Sequence, residues 1–115
     1  MALYMTDTQL GWVAGFLEGE GCFYIRRNGK WHYPSIRVQS VDVDALEKLR
    51  NFTGVGWVYG PYEPRRNGIS KQRYWCWALD SRDQVNMLLK KILPLMSQRR
   101  AKRIKEILNG TTKGK

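Results

Sequence analysis

Glu18 and Glu20, interleaved with glycines in Leu17-Glu18-Gly19-Glu20-Gly21, follow directly on a stretch that runs uncharged and largely apolar from Leu10. Acids in that setting suit a hard divalent cation, which takes oxygen ligands. The last carbonyls of a helix have no intrahelical partner, and that end carries partial negative charge. Glu20, with the carbonyl of Gly19 beside it, is therefore placed to hold a cation. The remaining soft or nitrogen ligands are Cys22, Cys76 and the single His32, too few for a zinc site. The two cysteines sit in strand-like runs and read as reduced, half-buried thiols.

The element that must carry these acids is a helix over about 7–20, with Thr6-Asp7-Thr8 offering N-cap side chains. Leu10, Val13, Ala14 and Leu17 fall at i, i+3, i+4, i+7 on one face. Trp12 and Phe16 take a second face, and Gly11, Gly15 and Gly19 line up on a third. A helix apolar on every side is buried on every side. One core in a chain of 115 residues does not readily surround it, so part of this surface belongs to a second molecule. Each interior glycine costs a helix about 1 kcal/mol, a cost that makes sense where another backbone approaches closely.

Charge narrows the partner. Lys and Arg number 20 against 10 Asp and Glu, a net +10 with pI near 10.0, in a chain with five Trp and six Tyr. Nucleic acid is the natural polyanion for such a domain. No apolar run of membrane-spanning length and no basic-then-apolar leader occurs, so the expectation is an intracellular protein, in cytoplasm or organelle matrix, neither secreted nor bound to a membrane.

Along the chain, residues 1–5 read as an arm. Cys22 to Arg27 alternates, Asn28-Gly29 is a hairpin turn signal, and the return strand runs from about Trp31 to Val41, with Pro34 implying a bulge or an edge. Phe23, Ile25, Ile36 and Val38 point inward. Asp44-Ala45-Leu46-Glu47 resembles a capping box for a second helix, with Asp42 the alternative cap, and Gly54 stops it after Phe52. Val55 to Tyr62 is a third strand and Ile69 to Leu79 a fourth, with Trp75, Trp77 and Leu79 inward and Gln72 and Tyr74 outward. Ser81-Arg82-Asp83-Gln84 caps a third helix whose face is Val85, Leu88, Leu89 and Ile92, closed by Pro94. Ser97 opens a last helix, with Ala101, Ile104 and Leu108 apolar. One domain over 1–110, an αββαββα order plus a terminal helix, and a disordered tail over 111–115 follow. The outward side chains Tyr24, Arg26, Lys30, His32, Ser35, Arg37 and Gln39 mix charge with hydrogen-bonding groups. A β-ribbon fits the major groove, where Arg and Gln read guanine and adenine edges. Arg65, Arg66, Lys71, Gln72 and Arg73 flank the second hairpin as further DNA contacts, and the run Arg99-Arg100-Ala101-Lys102-Arg103 either adds phosphate contacts or is the wet face of a helix.

Val13-Ala14-Gly15-Phe16-Leu17-Glu18-Gly19-Glu20-Gly21 resembles the nine-residue signature of the LAGLIDADG homing endonucleases. Ala14, Gly15, Leu17, the two acids and Gly21 fall in register, while Val13 and Phe16 replace leucines, Gly19 replaces alanine and both aspartates are glutamates. The resemblance covers about Leu10 to Leu108, in a single copy. It implies an α+β fold with an antiparallel sheet saddle, and a double-stranded DNA endonuclease of the single-motif type. Such an enzyme uses Mg²⁺ or Mn²⁺, cuts across the minor groove to leave short 3′ overhangs, and is often encoded in an intron. By resemblance Glu20 is the metal ligand, Glu18 is not made one, Arg82 takes the place of an active-site lysine and Ser40 that of a polar, water-organising residue.

One Glu20 per chain does not cut two strands. Pairing two chains through the glycine-lined helices brings two copies to one axis, so a C2 homodimer is expected, with Gly11, Trp12, Ala14, Gly15, Glu18 and Gly19 at its interface. The rival expectations are a DNA-binding regulator that keeps the fold without catalysis, and an RNA-binding intron maturase.

Overall fold

The computed structural model describes residues 3–64 and 72–110. Helix α1 (Asp7–Glu20) leads into the hairpin β1 (Cys22–Asn28) and β2 (Trp31–Ser40). Helix α2 (Val43–Thr53), strands β3 (Trp57–Tyr62) and β4 (Tyr74–Leu79), α3 (Arg82–Ile92), a 3₁₀ turn (Leu93–Leu95) and α4 (Gln98–Gly110) follow. This is the expected αββαββα order with its terminal helix. The Arg65, Arg66 and Lys71 positions, the start expected for the fourth strand at Ile69, and the tail over 111–115 lie outside the described residues. Among the described residues no helix is long and apolar enough to cross a membrane.

Local signals set the helix ends. Thr6 caps α1 in a reciprocal box with Gln9, at 3.1 and 3.0 Å. Asp42, rather than Asp44, caps α2 by accepting from the Asp44 amide, and Gly54 ends it in the left-handed region. Ser81 caps α3. The four strands form one antiparallel sheet in the order β1-β2-β4-β3. Pairing runs without a slip from Cys22↔Arg37 to Asn28↔Trp31, so Pro34 marks no bulge. β4 pairs with β2 only from Ile36 onward, which leaves the Pro34 stretch an edge on that side, where proline is tolerated.

Register defines two sheet faces. Phe23, Ile36 and Leu79 share one row of the inner face, and Val38, Trp77 and Val58 the next. Against them pack Val13 and Leu17 of α1, Leu46 and Leu49 of α2, Val85, Leu88, Leu89 and Ile92 of α3, and Ile104 and Ile107 of α4, all buried. Ile107 joins Ile104 as a fully buried residue of α4, and Leu108 packs partly buried against the same core. Leu3 is buried as well, so the expected arm folds back onto the core from its third residue. Trp77 is fully buried and its Nε1 donates to the Val55 carbonyl at 3.1 Å. Gly56, at φ +81°, passes so close that a Cβ there would lie 2.5 Å from that indole nitrogen. This approach delays β3 to Trp57, two residues past the expected Val55.

Candidate functional site

Glu20 is the last residue of α1, and it is exposed. The chain leaves the helix through Gly21, whose amide donates to the Leu17 carbonyl at 2.9 Å. A Cβ on Gly21 would stand 2.7 Å from that same oxygen, so only glycine makes this turn from α1 into β1. Among the described residues the Glu20 carboxylate has no ion pair and no side-chain hydrogen bond. No cluster of three or more His, Cys, Asp or Glu is present there to hold a metal. A single carboxylate beside helix-end carbonyls fits a cation that keeps waters and takes its other oxygens from a phosphate.

Glu18 has a different task. Two residues along a helix is a rotation of about 200°, so it faces away from Glu20, toward α4. Its carboxylate accepts from the Ser97 amide and hydroxyl, both at 2.8 Å, at the opening of α4. Those bonds, the backbone one foremost, hold its pKa below the ordinary value, with Arg100 and Arg99 assisting. Arg100 Nε donates to the Glu18 carbonyl at 3.0 Å and Arg103 Nε to the Phe23 carbonyl at 3.1 Å. Glu18 is thus an intrachain latch between α1 and α4. The same stitching brings the basic run of α4 beside the helix end: Gly21, Cys22, Phe23, Arg99, Arg100, Lys102, Arg103 and Glu106 line a cleft of about 600 Å³.

The glycine row behaves otherwise. Gly11, Gly15 and Gly19 are exposed, and a Cβ on any of them would meet nothing within 4 Å. Their cost to the helix is not repaid by any contact among the described residues. Ala14, expected on that face, is buried in the core instead. Trp12 turns to its own chain, stacked on Phe16 with ring centroids 4.9 Å apart, edge-on to Phe52, with Lys48 Nζ over its ring.

On the outer sheet face, parity gathers Tyr24 and Arg26 of β1, Tyr33, Ser35, Arg37 and Gln39 of β2, and Trp57 and Tyr59 of β3. His32, expected among the outward residues, shares the face of Pro34 and Ile36 and is half-buried; Lys30 belongs to the turn. Ser35 has the expected direction but is fully buried, because Asp80 sits over it and accepts from its hydroxyl at 2.6 Å. The same carboxylate meets Arg37 Nη2 at 3.1 Å and Arg26 Nε at 3.4 Å, while Arg26 Nη2 donates to the Asp80 carbonyl at 3.2 Å. Burial works against the Arg37 charge, yet Asp80 and Tyr24 together hold its pKa above the ordinary value. Burial also raises the Tyr24 hydroxyl, against the pull of Arg37. Arg73 pairs with Glu63 at 2.8 Å with both side chains exposed, and Gln72 is exposed.

Arg82 lies over the Tyr33 ring, 5.0 Å from its centroid, with Nε and Nη2 buried and without hydrogen-bond partners among the described residues. Ser40 Oγ accepts from the Asp42 amide at the entry to α2. Neither residue contacts Glu20 through a hydrogen bond or ion pair among the described residues. Tyr33 and Asp80 escaped the sequence reading for different reasons. Tyr33 has the parity of Ser35 and Arg37 and was legible, whereas Asp80, one residue past β4, carries no periodic signal.

No family model and no curated protein sequence matches the chain. Solved structures do. The homing endonuclease I-CvuI in complex with the I-CreI target superposes with a TM-score of 0.66 at 20% identity, over 90% of this chain and 65% of that one. The LAGLIDADG meganuclease I-AabMI bound to uncleaved DNA gives 0.68 at 16% identity, over 87% and 35%. The group I intron-encoded homing endonuclease I-CeuI complexed with DNA gives 0.62 at 19% identity, over 95% and 56%. The chain therefore spans less than two thirds of each of these three. At such identities the likeness establishes the fold, the α+β, αββαββα fold of the LAGLIDADG homing endonucleases.

Proposed function

We propose that two copies of this chain pair through the glycine faces of α1 and cleave both strands of a long, pseudo-palindromic DNA duplex, leaving 3′ overhangs. The observation that carries this reading is the pairing of features on α1. A glycine face and a terminal carboxylate that meet no partner among the described residues lie on one helix, so a twofold contact along that face sets two Glu20 residues near one axis. Support comes from the outer sheet face, where Arg26, Arg37 and Gln39 offer donors for base edges, and from the basic cleft beside the helix end.

In this reading Glu20 and the Gly19 carbonyl hold Mg²⁺ or Mn²⁺. When bound, such an ion activates water and neutralises charge on the attacked phosphate and the leaving oxygen. Gly21 fixes the direction in which Glu20 is presented. Arg82 supplies positive charge just past β4 and Ser40 a hydroxyl at the end of β2, while Arg99 and Lys102 attract the backbone of the strand entering the cleft. The test is to incubate the protein and Glu20→Gln with randomised duplex DNA and Mg²⁺ and to sequence the ends. Loss of a metal-binding charge worth several kcal/mol should slow cleavage roughly a hundredfold or more. Binding should survive or tighten, because a negative charge leaves the phosphate side. Cutting at the wild-type rate by Glu20→Gln removes Glu20 as the ligand. Binding without cutting by the wild type identifies a regulator, and preference for structured RNA a maturase.

A further inference from the structure

The outer sheet face carries an acid where a DNA-binding surface has least use for one. Asp80 sits over the buried Ser35, which donates to it at 2.6 Å, and between Arg26 and Arg37, which reach it from two different strands at 3.4 and 3.1 Å. Arg26 also lies over Tyr33, 5.5 Å from the ring centroid. The ion pairs are roughly two-fifths exposed on both sides, and exposed pairs add little to the stability of a fold. The bond to the buried Ser35 hydroxyl contributes to the fold, but that bond alone does not require two arginines from two strands on the same carboxylate.

We infer that Asp80 is a positioning residue for sequence discrimination, holding Arg26 and Arg37 in one arrangement and cancelling part of their charge so that they read base edges rather than gather phosphates indiscriminately. The inference rests on the DNA-binding reading above. Guanidinium groups are planar forks with five donors, so one edge given to a carboxylate leaves another facing out, in the geometry that pairs with guanine. Long side chains otherwise lose rotamer freedom when they bind; here Asp80 removes that freedom beforehand. An unpaired arginine attracts any phosphate, a contribution without sequence information that steepens the salt dependence.

The probes are a duplex enriched by the wild-type protein from a randomised pool and a shuffled duplex of the same composition. Affinities of wild type, Asp80→Asn and Asp80→Ala are measured for both across a salt series. Both variants should bind the shuffled duplex more tightly, with a salt slope steeper by about one per subunit. Their ratio of specific to non-specific affinity should fall about tenfold or more, the scale of one lost base contact. A ratio within twofold of wild type overturns the inference. So does a parallel fall of both affinities with a lower melting temperature, which is what structural damage alone produces. If the wild type enriches no duplex, the DNA reading fails and the inference with it; enrichment with an unchanged ratio in the variants sinks the inference alone.

Discussion

Replacing Gly11 and Gly15 by alanine should push folding and association in opposite directions. Among the described residues of one chain the added methyl groups meet nothing within 4 Å, so only helix propensity changes. Each interior Gly→Ala is worth about 0.8–1.0 kcal/mol, or about 2 kcal/mol for the pair, roughly thirtyfold in the folding constant. In a twofold pair each methyl enters the contact twice. Forcing atoms into a close-packed contact costs about 1–3 kcal/mol, so one substitution costs a dimer about 2–6 kcal/mol, at least about thirtyfold in its dissociation constant. Urea unfolding by tryptophan fluorescence, at concentrations low enough to hold the subunit alone, measures the first effect. Sedimentation equilibrium measures the second. A destabilised subunit would mean that the face is covered within the chain. An unchanged dimer, or a wild-type protein that never pairs, would mean that the glycine row is not the contact.

Gly56→Ala should lower the urea midpoint by the equivalent of about 2 kcal/mol or more, since a side chain at φ +81° is strained and its Cβ strikes the buried Trp77 ring; a midpoint within error of wild type would refute the close approach. Glu18→Gln tests the latch. Because the folded carboxyl titrates below its ordinary 4.5, its contribution is present above that pH and disappears as pH falls through the folded value. Thermal melts should therefore show wild type ahead of Glu18→Gln at neutral pH and the two converging as pH falls below 4.5, whereas a gap that stays constant through acid titration would mean the charge is not what holds Ser97.

What the sequence made legible was local. The cap in Thr6-Asp7-Thr8, Gly54, Ser81, the Asn28-Gly29 turn and the face Val85-Leu88-Leu89-Ile92 all report on neighbours within a turn or two, and all stand in the structure. The helix-end acid was legible for the same reason. The hidden parts are contacts that join distant segments. Nothing near Glu18 in sequence announces Ser97, 79 residues on, and nothing near Asp80 announces Arg26 or Arg37. His32 and Tyr33 are an instructive exchange. Expecting Pro34 to bring a bulge or an edge left the parity of the strand open, and the uninterrupted register puts Tyr33, not His32, with Arg37. Trp75, Trp77 and Leu79 were placed inward by alternation, and the pairing of Trp77 with Val38 agrees.

The latch between α1 and α4 also bears on the order in which the molecule is assembled. Glu18 to Ser97 and Arg100 to the Glu18 carbonyl span 79 and 82 residues, among the longest loops the chain can close. Long-range contacts form late, after nearby segments have settled, because loop closure must be met before they contribute. During synthesis, the corner bearing Glu20 therefore stays open until Ser97 and the arginines behind it have emerged. The acid corner is thus finished by α4, which completes the place where the chemistry is proposed to occur.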